Sequence, residues 1–311
     1  MLCVGLLIAV IVTAQTSLHF KETPIALPTA TGTIEGTLCL PETPIPMPVA
    51  LIVAGSGPTD RNGNNAMMIN NSLKMLADSL AFHGIASVRY DKRGIGASKS
   101  ALKSEMDIRF EDYVNDAEQW IQLLKKDSRF SKSIVIGHSE GALIGMIASK
   151  YNADALVLIA GAGRPAGKLL KEQLANQPEV IRNWIYADID TLEMGKTLQY
   201  VHPLLYNLFR PSVQPYLISW FKYHPAKVIQ QLGNKPVCII QGTNDIQVDT
   251  ADAILLAKAD TAATLVMIPD MNHIFKIVSG DRNANIATYN NPQLPISAQL
   301  VSTIVNFIHA L

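Results

Sequence analysis

Residues 133–141 read Ser-Ile-Val-Ile-Gly-His-Ser-Glu-Gly, and the neighbouring segments show what structure surrounds them. The apolar run 133–137 is typical of a short buried strand, whereas residues 142–150 (ALIGMIASK) are typical of a helix. Gly137-His138-Ser139-Glu140-Gly141 is therefore a Gly-x-Ser-x-Gly motif at a strand-to-helix turn. Glycines at both ends remove side chains that would clash in a sharp turn, and the helix N-terminus favours negative charge near the serine. The motif predicts that Ser139 is a nucleophile; the alternative is a turn with a structural role only.

Similar short apolar runs recur on both sides of this motif. Amphipathic segments separate several of them, and this alternation indicates βαβ units and a mostly parallel sheet flanked by helices. The fold class predicted is therefore α/β. The predicted strands are 33–40, 49–54, 85–90, 133–137, 155–160, 236–241 and 264–268, and the further helices are 70–82, 110–125 and 298–309.

One segment, between Gly161 and Lys235, interrupts this alternation. It contains no clear strand, and its length of about seventy residues exceeds that of an ordinary loop. We therefore predict a helical cap insertion at about 164–235, over the carboxyl edge of the sheet where α/β folds bind ligands. Its aromatic residues suggest an apolar pocket for an acyl or aryl group; they are Trp184, Tyr186, Tyr200, Tyr206, Phe209, Tyr216, Trp220, Phe221 and Tyr223.

The composition narrows the class of protein. The chain has 311 residues, 26 basic and 26 acidic side chains, and 48% hydrophobic residues. A neutral chain offers no electrostatic reason to bind nucleic acid or an anionic membrane, and a chain this apolar is not disordered. Three cysteines are too few for a disulfide scaffold, and no metal-ligand cluster or dinucleotide motif is visible, so we predict no metal and no cofactor. Cys39 and Cys238 fall in apolar runs and are predicted to be two separate buried thiols.

The first fourteen residues read MLCVGLLIAVIVTA. This apolar run is too short to span a bilayer comfortably, and Val12-Thr13-Ala14 resembles a signal-peptidase site. The expectation is a signal peptide at 1–14, a mature domain at 15–311, export to the periplasm or the extracellular space, and no stable membrane insertion after cleavage. The lack of Lys or Arg before the run leaves a buried first strand or an uncleaved anchor as alternatives.

Two further loops carry a family resemblance. Residues 55–63 read GSGPTDRNG after the strand at 49–54, and residues 90–98 read YDKRGIGAS after the strand at 85–90. With the serine motif, they make the chain resemble the α/β-hydrolase superfamily, and in particular bacterial esterases related to the acyl-thioester hydrolase and bile-acid acyltransferase branch. The resemblance runs from about Val49 to the C-terminus, apart from the cap. The second loop is expected to be structural, and Asp60 and Arg61 are expected to brace the first by an ion pair.

The resemblance implies a catalytic triad in the chain order Ser, Asp, His. His273 lies just after the last strand, where the family carries its general base. Asp245, in the turn GTNDIQV after the strand at 236–241, matches the acid that orients this base. Asp249 and Asp252 are alternatives, although they look like acids at the start of the next helix. The other histidines after Ser139, which are His202, His224 and His309, are expected to be packing or surface residues, and His138 in the motif is expected to be oriented by packing and not catalytic.

The resemblance also implies an oxyanion hole and an activity. Its two donors are expected to be the backbone N–H groups of Glu140 and Ser56, with Gly57 as the alternative to Ser56. The function predicted is hydrolysis of a small-molecule carboxylic ester through an acyl-enzyme on the Ser139-Asp245-His273 triad. Alternatives are a thioesterase, a small peptidase and a non-catalytic binding protein on the same scaffold. The sequence gives no oligomeric state, and the polar segment 281–296 is interpreted as a long loop.

Overall fold

The computed structural model describes residues 19–150 and 152–311, so the predicted signal peptide lies outside the described residues. Within these ranges the strands form one eight-stranded sheet in the order β1-β2-β4-β3-β5-β6-β7-β8. The strands are β1 (Phe20–Thr29), β2 (Gly32–Pro41), β3 (Met47–Val53), β4 (Ala86–Tyr90), β5 (Phe130–His138), β6 (Ala155–Ile159), β7 (Val237–Gly242) and β8 (Thr264–Ile268). The helices are α1 (Ser72–Ala81), α2 (Phe110–Lys125), α3 (Glu140–Ala148), α4 (Ala166–Gln173), α5 (Glu179–Glu193), α6 (Tyr206–Phe209), α7 (Gln214–Phe221), α8 (Pro225–Ile229), α9 (Thr250–Ala259), α10 (Arg282–Ala287) and α11 (Ala298–His309).

The sheet is parallel from β4 to β8, and the predicted α/β architecture is confirmed. Only β1 with β2 and β2 with β4 pair in antiparallel fashion. Successive side chains of the central strands enter two different cores, because a strand presents alternate residues to opposite faces. Leu51 and Val135 face α2 and α3 in one core, whereas Ala50 and Ile134 face α1 and α11 in the other. Helices on both faces explain why these strands read as continuous apolar runs.

Two segments differ from the sequence interpretation. β1 is an additional strand, which pairs along its whole length with β2 at the sheet edge. Its Pro24 and Pro28 and its largely exposed side chains obscure the strand pattern, and an edge strand tolerates both features. The segment 281–296 contains the helix α10 rather than only a loop, and the Asp281 side chain caps it by accepting from the N–H groups of Asn283 and Ala284.

The two cysteines in the described residues behave as predicted. Cys39 and Cys238 are buried and unpaired. Burial raises the pKa of each thiol to about 12. Both are therefore packing residues and not reactive groups.

Helices α4 to α8 lie between β6 and β7, in the segment predicted as the cap, and we call these helices the cap. Helices α4 to α7 share a small apolar core of their own, in which Ile185, Ile189 and Phe209 are buried, whereas Ile229 of α8 is buried in the core of the body. The cap meets the body through α7 and α2, where the rings of Trp220 and Phe110 stack with centroids 6.2 Å apart. The described helices include none that is both long and apolar enough to cross a membrane.

Candidate active site

Ser139 lies in the turn between β5 and α3, at the N-cap of α3. Its φ of 55° and ψ of −119° belong to a conformation that residues with a side chain rarely adopt. The turn is tight enough that a Cβ atom on Gly137 would lie 2.3 Å from the Gly141 carbonyl oxygen. A Cβ atom on Gly141 would lie 2.3 Å from the carbonyl oxygen of Val53. Both glycines are thus required sterically, and the strained backbone holds Ser139 at the start of a helix.

His273 and Asp245 form a buried hydrogen-bonded pair. The distance from His273 Nδ1 to Asp245 Oδ2 is 2.8 Å, and the two side chains are 4% and 1% exposed. The carboxylate also accepts from the backbone N–H groups of Gln247 (2.8 Å) and Val248 (3.0 Å) and from Gln241 Nε2 (3.1 Å). Burial alone would raise the pKa of Asp245, but the charge and hydrogen bond of His273 and the backbone donors together lower it. Asp245 therefore stays ionised in a buried position.

This pair determines which nitrogen of His273 can act as a base. An ionised carboxylate only accepts hydrogen bonds, so the shared proton belongs to Nδ1. Nε2 then carries the lone pair, as a general base requires. His273 and Ser139 line the same cavity, together with Ser56.

The alternative acids have other roles. Asp249 caps α9, because its Oδ1 accepts from the N–H of Ala251 at 2.8 Å. Asp252 is buried and pairs with Arg164, with Nη2 and Oδ2 2.5 Å apart. Its Oδ1 also accepts from the N–H of Gly163 at 3.0 Å. Of the three candidate carboxylates, the structure brings Asp245 to His273.

The remaining histidines outside the serine turn also lie elsewhere. His202 stacks on Trp184 in the cap, with ring centroids 4.3 Å apart. His224 is the N-cap residue of α8, and His309 is an exposed residue at the end of α11.

His138 packs directly against His273. Its Nε2 donates to the carbonyl oxygen of His273 at 2.9 Å, and the two ring centroids lie 4.7 Å apart. Its ring also meets Phe275 edge-on at 4.8 Å. Burial, reinforced by the neighbouring His273, lowers the pKa of His138 to about 3. A neutral His138 supports the backbone of the histidine loop without adding charge to it.

The two predicted oxyanion donors are adjacent to the serine. Ser56 and Glu140 both line a cavity with Ser139, whereas Gly57 lines a different one. Within the described part of the chain, the N–H groups of Ser56 and Glu140 donate to no other group. Both groups are therefore available to an oxygen atom bound beside Ser139.

The expected ion pair between Asp60 and Arg61 is wrong. Asp60 Oδ1 instead accepts from the N–H groups of Asn62 (2.8 Å) and Asn64 (2.9 Å), closing its own loop. Arg61 pairs with the buried Asp91 at 2.8 Å. Asp and Asn side chains readily satisfy backbone amides two or more residues ahead, which explains why Asp60 does not bind its neighbour. The Arg61–Asp91 pair joins the two loops that carry the family resemblance.

Two cavities meet at Ser139, and they differ in chemistry. The cap-side cavity is mainly apolar and is lined by residues that include Leu143, Ala166, Leu169, Leu170, Trp220 and Val248. The histidine-side cavity has polar residues at more of its lining positions, which include Thr59, Ser72, His138 and His273. Ser56 and Gln247 line both. Of the nine aromatic residues noted in the insertion, Trp220 lines the cap-side cavity, so that cavity is mainly aliphatic rather than aromatic.

Sequence reasoning missed the support of the histidine loop. Asn272 Nδ2 donates to Asn285 Oδ1 (3.1 Å) and to Thr288 Oγ1 (2.8 Å), which ties the loop to α10 and the residues after it. Asn272 Oδ1 accepts from the N–H of Lys276 at 3.0 Å. The segment 281–296 thus braces the backbone around His273 and lines neither cavity at Ser139. The one sequence feature that could have indicated this support is Asn272, directly before the candidate base His273.

Sequence reasoning also missed Lys92, which it placed in a structural turn. Its side chain is 1% exposed, and its Nζ lies 2.9 Å from Glu140 Oε2 and 2.6 Å from the carbonyl oxygen of Gly55. A fully buried lysine is rare unless it is paired, and no sequence pattern distinguishes it from a surface lysine.

Comparisons with known proteins find a matching family and a relative. The sequence profile of the serine aminopeptidase S33 family matches residues 69–275. Esterase EstD of Thermotoga maritima is 25% identical over 272 residues, which cover 82% of this chain and 61% of that protein. The chain thus spans about three fifths of that relative's length.

Solved structures share the fold. Est1E from Butyrivibrio proteoclasticus aligns with a TM-score of 0.60 and 16% identity, covering 93% of this chain and 99% of that one. The α/β hydrolase GrgF from Penicillium sp. sh18 aligns with a TM-score of 0.61 and 18% identity, covering 93% and 98%. The resemblance to α/β-hydrolases is confirmed.

Proposed function

The chain belongs to the serine aminopeptidase S33 family, and on that premise we propose that it hydrolyses carboxylic esters through an acyl-enzyme formed on Ser139. The observation that carries the proposal is the buried His273–Asp245 pair, whose histidine lines the same cavity as a serine held in a strained turn. The similarity to esterase EstD supports the ester bond as the target.

The proposed first half-reaction forms an ester on the enzyme. His273 Nε2 takes the proton of the Ser139 hydroxyl, and Oγ attacks the carbonyl carbon of the substrate. The carbonyl oxygen becomes negative and is bound by the N–H groups of Ser56 and Glu140. Asp245 stabilises the imidazolium. His273 then gives its proton to the leaving alcohol, and the carbon–oxygen bond of the substrate breaks.

The second half-reaction releases the acid by the same steps. His273 takes a proton from water, and the resulting hydroxide attacks the acyl carbon. The tetrahedral intermediate is held by the same two donors. Its collapse breaks the bond to Ser139 Oγ, which recovers the proton from His273.

The two cavities divide the substrate between them. The general acid must lie beside the leaving oxygen, and His273 lines only the histidine-side cavity. The alcohol therefore occupies that cavity, and the acyl group occupies the cap-side cavity. The aliphatic lining of the latter favours an apolar acyl group.

A small aminopeptidase is the second candidate, because it is the activity in the family description. Such an enzyme needs an acidic side chain to bind the free ammonium group of its substrate. Glu140 is the one acidic residue that lines either cavity in the described chain. Its carboxylate is already bound by Lys92 and by the hydroxyl of Tyr216. The charge distribution therefore favours ester over aminoacyl substrates.

The test is hydrolysis of a substrate panel by wild-type protein and by Ser139→Ala. The panel contains p-nitrophenyl acetate, p-nitrophenyl hexanoate, an acyl thioester and an aminoacyl p-nitroanilide. We expect turnover of the oxygen esters and a loss of at least about 10⁴-fold in kcat in the variant. His309→Ala, an exposed position far along α11, is the control and retains activity. Preferred cleavage of the anilide would support the aminopeptidase instead, and equal ester turnover by Ser139→Ala would contradict the proposal.

A further inference from the structure

The ammonium group of Lys92 lies at the centre of a buried polar cluster. Its Nζ is 2.6 Å from the carbonyl oxygen of Gly55 and 2.9 Å from Glu140 Oε2. It also lies over the ring of Tyr113, 4.9 Å from the centroid. The side chains of Lys92 and Glu140 are each 1% exposed. Both polar partners of Lys92 are linked to a proposed oxyanion donor. The Gly55 carbonyl is followed directly by the N–H of Ser56, and Glu140 carries the second N–H itself.

The contact with Gly55 acts on the first of these donors. The Gly55 carbonyl and the Ser56 N–H belong to one planar trans peptide, so they point in opposite directions. A cation fixed on the carbonyl oxygen holds the plane of that peptide and so sets the direction of the N–H. It also draws electron density from the amide, which strengthens the N–H as a donor.

The contact with Glu140 acts on the second donor. Lys92 binds Oε2 of this carboxylate, and the hydroxyl of Tyr216 in the cap helix α7 donates to Oε1. The side chain of Glu140 is therefore held at both oxygens. Since the N–H of the same residue is the second proposed donor, Lys92 connects the two halves of the oxyanion hole.

We infer that Lys92 is a positioning residue of the oxyanion hole, aligning the Ser56 and Glu140 N–H groups through its bonds to the Gly55 carbonyl and the Glu140 carboxylate. This inference rests on the proposed ester hydrolysis. The competing explanation is that Lys92 only neutralises the buried Glu140 carboxylate. Removing either partner would then leave the charge of the other uncompensated.

Two variants separate these explanations. Lys92→Met removes both bonds and leaves Glu140 charged and unpaired. Lys92→Met/Glu140→Gln removes both charges, so the buried charge is gone but the Gly55 carbonyl still lacks its donor. We expect the double variant to recover most of the thermal stability that the single variant loses. We also expect kcat for p-nitrophenyl acetate to stay about 10- to 100-fold below wild type in both, with KM nearly unchanged.

A second readout and a matched control accompany the kinetics. The ¹⁵N chemical shift of Ser56 responds to a hydrogen bond on the carbonyl of its own peptide, so we expect it to move in both Lys92 variants. Arg93→Met is the control, because it breaks the neighbouring Arg93–Asp116 pair (2.6 Å) in the same turn. It is expected to lower stability while leaving the Ser56 shift and kcat close to wild type.

The outcomes are distinct. A double variant whose kcat returns to the wild-type value would overturn the inference, because Lys92 would then serve only to neutralise Glu140. A kcat unchanged in Lys92→Met, with an active wild type, would overturn it as well. Wild-type protein that neither cleaves esters nor reacts with a fluorophosphonate would contradict the proposed function, and the inference with it.

Discussion

At the scale of the residue, the site depends on two buried groups beside His273, of which one is charged and the other is neutral. The side chain of Asp245 and the whole of His138 are buried against His273. Four donors offset the cost of burying the Asp245 charge, so its pKa falls and the carboxylate persists. For His138, burial and the neighbouring His273 outweigh the hydrogen bond to the His273 carbonyl and the charge of Asp245, so its pKa falls and the neutral ring is favoured. One neighbour of His273 is therefore an anion and the other is neutral.

Asp245→Asn tests the role of the anion. The amide can hydrogen-bond to His273 but offers no negative charge, and it can bind the ring in the wrong tautomer. We expect kcat for p-nitrophenyl acetate to fall roughly 10³- to 10⁴-fold with a small change in thermal stability.

Asp249→Asn is the matched control for this substitution. Asp249 lies four residues after Asp245 and caps α9. Asparagine caps helices as well as aspartate does. Its activity should equal that of the wild type. An Asp249 variant as impaired as the Asp245 variant would show that the acid has been misassigned.

At the scale of the element, apolar strands were predictable and polar supports were not. The central strands are buried on both faces, so hydrophobicity alone identifies them. α10 and the histidine loop are held together by amide side chains such as those of Asn272 and Asn285. These residues do not recur at a regular spacing in the sequence, so no periodic pattern indicates them. The chain order implied Ser139, Asp245 and His273, but the burial of Lys92 depends on contacts between residues far apart in the chain. Local patterns carry no information about such contacts.

The cap helix α7 contacts the serine turn through one hydroxyl, and Tyr216→Phe removes it. Glu140 Oε1 then loses its donor, which typically costs about 1–3 kcal/mol for a buried acceptor. We expect lower thermal stability and a loss of about 3- to 10-fold in kcat/KM, because the turn and the cap are less firmly held together.

Tyr223→Phe is the matched control for the cap contact. Its hydroxyl also bridges cap and body, donating to Glu111 Oε1 at 3.1 Å, but it does not touch the serine turn. This variant should keep the wild-type kcat/KM. Equal losses in the two variants would indicate that cap docking in general, rather than the bond to Glu140, limits the activity.

At the scale of the whole molecule, two cores lie on either side of one sheet, while the cap has a small core of its own. Ser139, Asp245, His273 and both proposed oxyanion donors all belong to the body, and the cap supplies part of the apolar cavity. The motifs from which the reaction is predicted therefore all lie in the body, whereas the residues that line the cavity could not be predicted from them. Cleavage after Ala14 and export stay predictions.

The free energy of unfolding should depend on pH in a way that reflects the lowered pKa of His138. Its pKa is lowered to about 3 in the folded protein, so below the ordinary value near 6.5 the unfolded chain binds a proton that the folded one does not. The stability contribution is complete above about pH 6.5 and declines as the pH falls towards 3. His138→Gln should flatten the acid decline in unfolding free energy by up to about 1.4 kcal/mol per pH unit. Denaturant titrations between pH 4 and 7 measure the free energy of unfolding, with His309→Gln as control. If this free energy declined equally with falling pH in wild type and in His138→Gln, His138 would not be the cause of the decline.

The central claim is that Ser139 is a nucleophile activated by His273. The most direct measurement is reaction with a fluorophosphonate, followed by mass mapping of the labelled peptide. The account predicts one adduct on Ser139, with a rate that falls sharply in His273→Ala and not in His309→Ala. Folded protein that does not react, or an adduct on another residue, would contradict it.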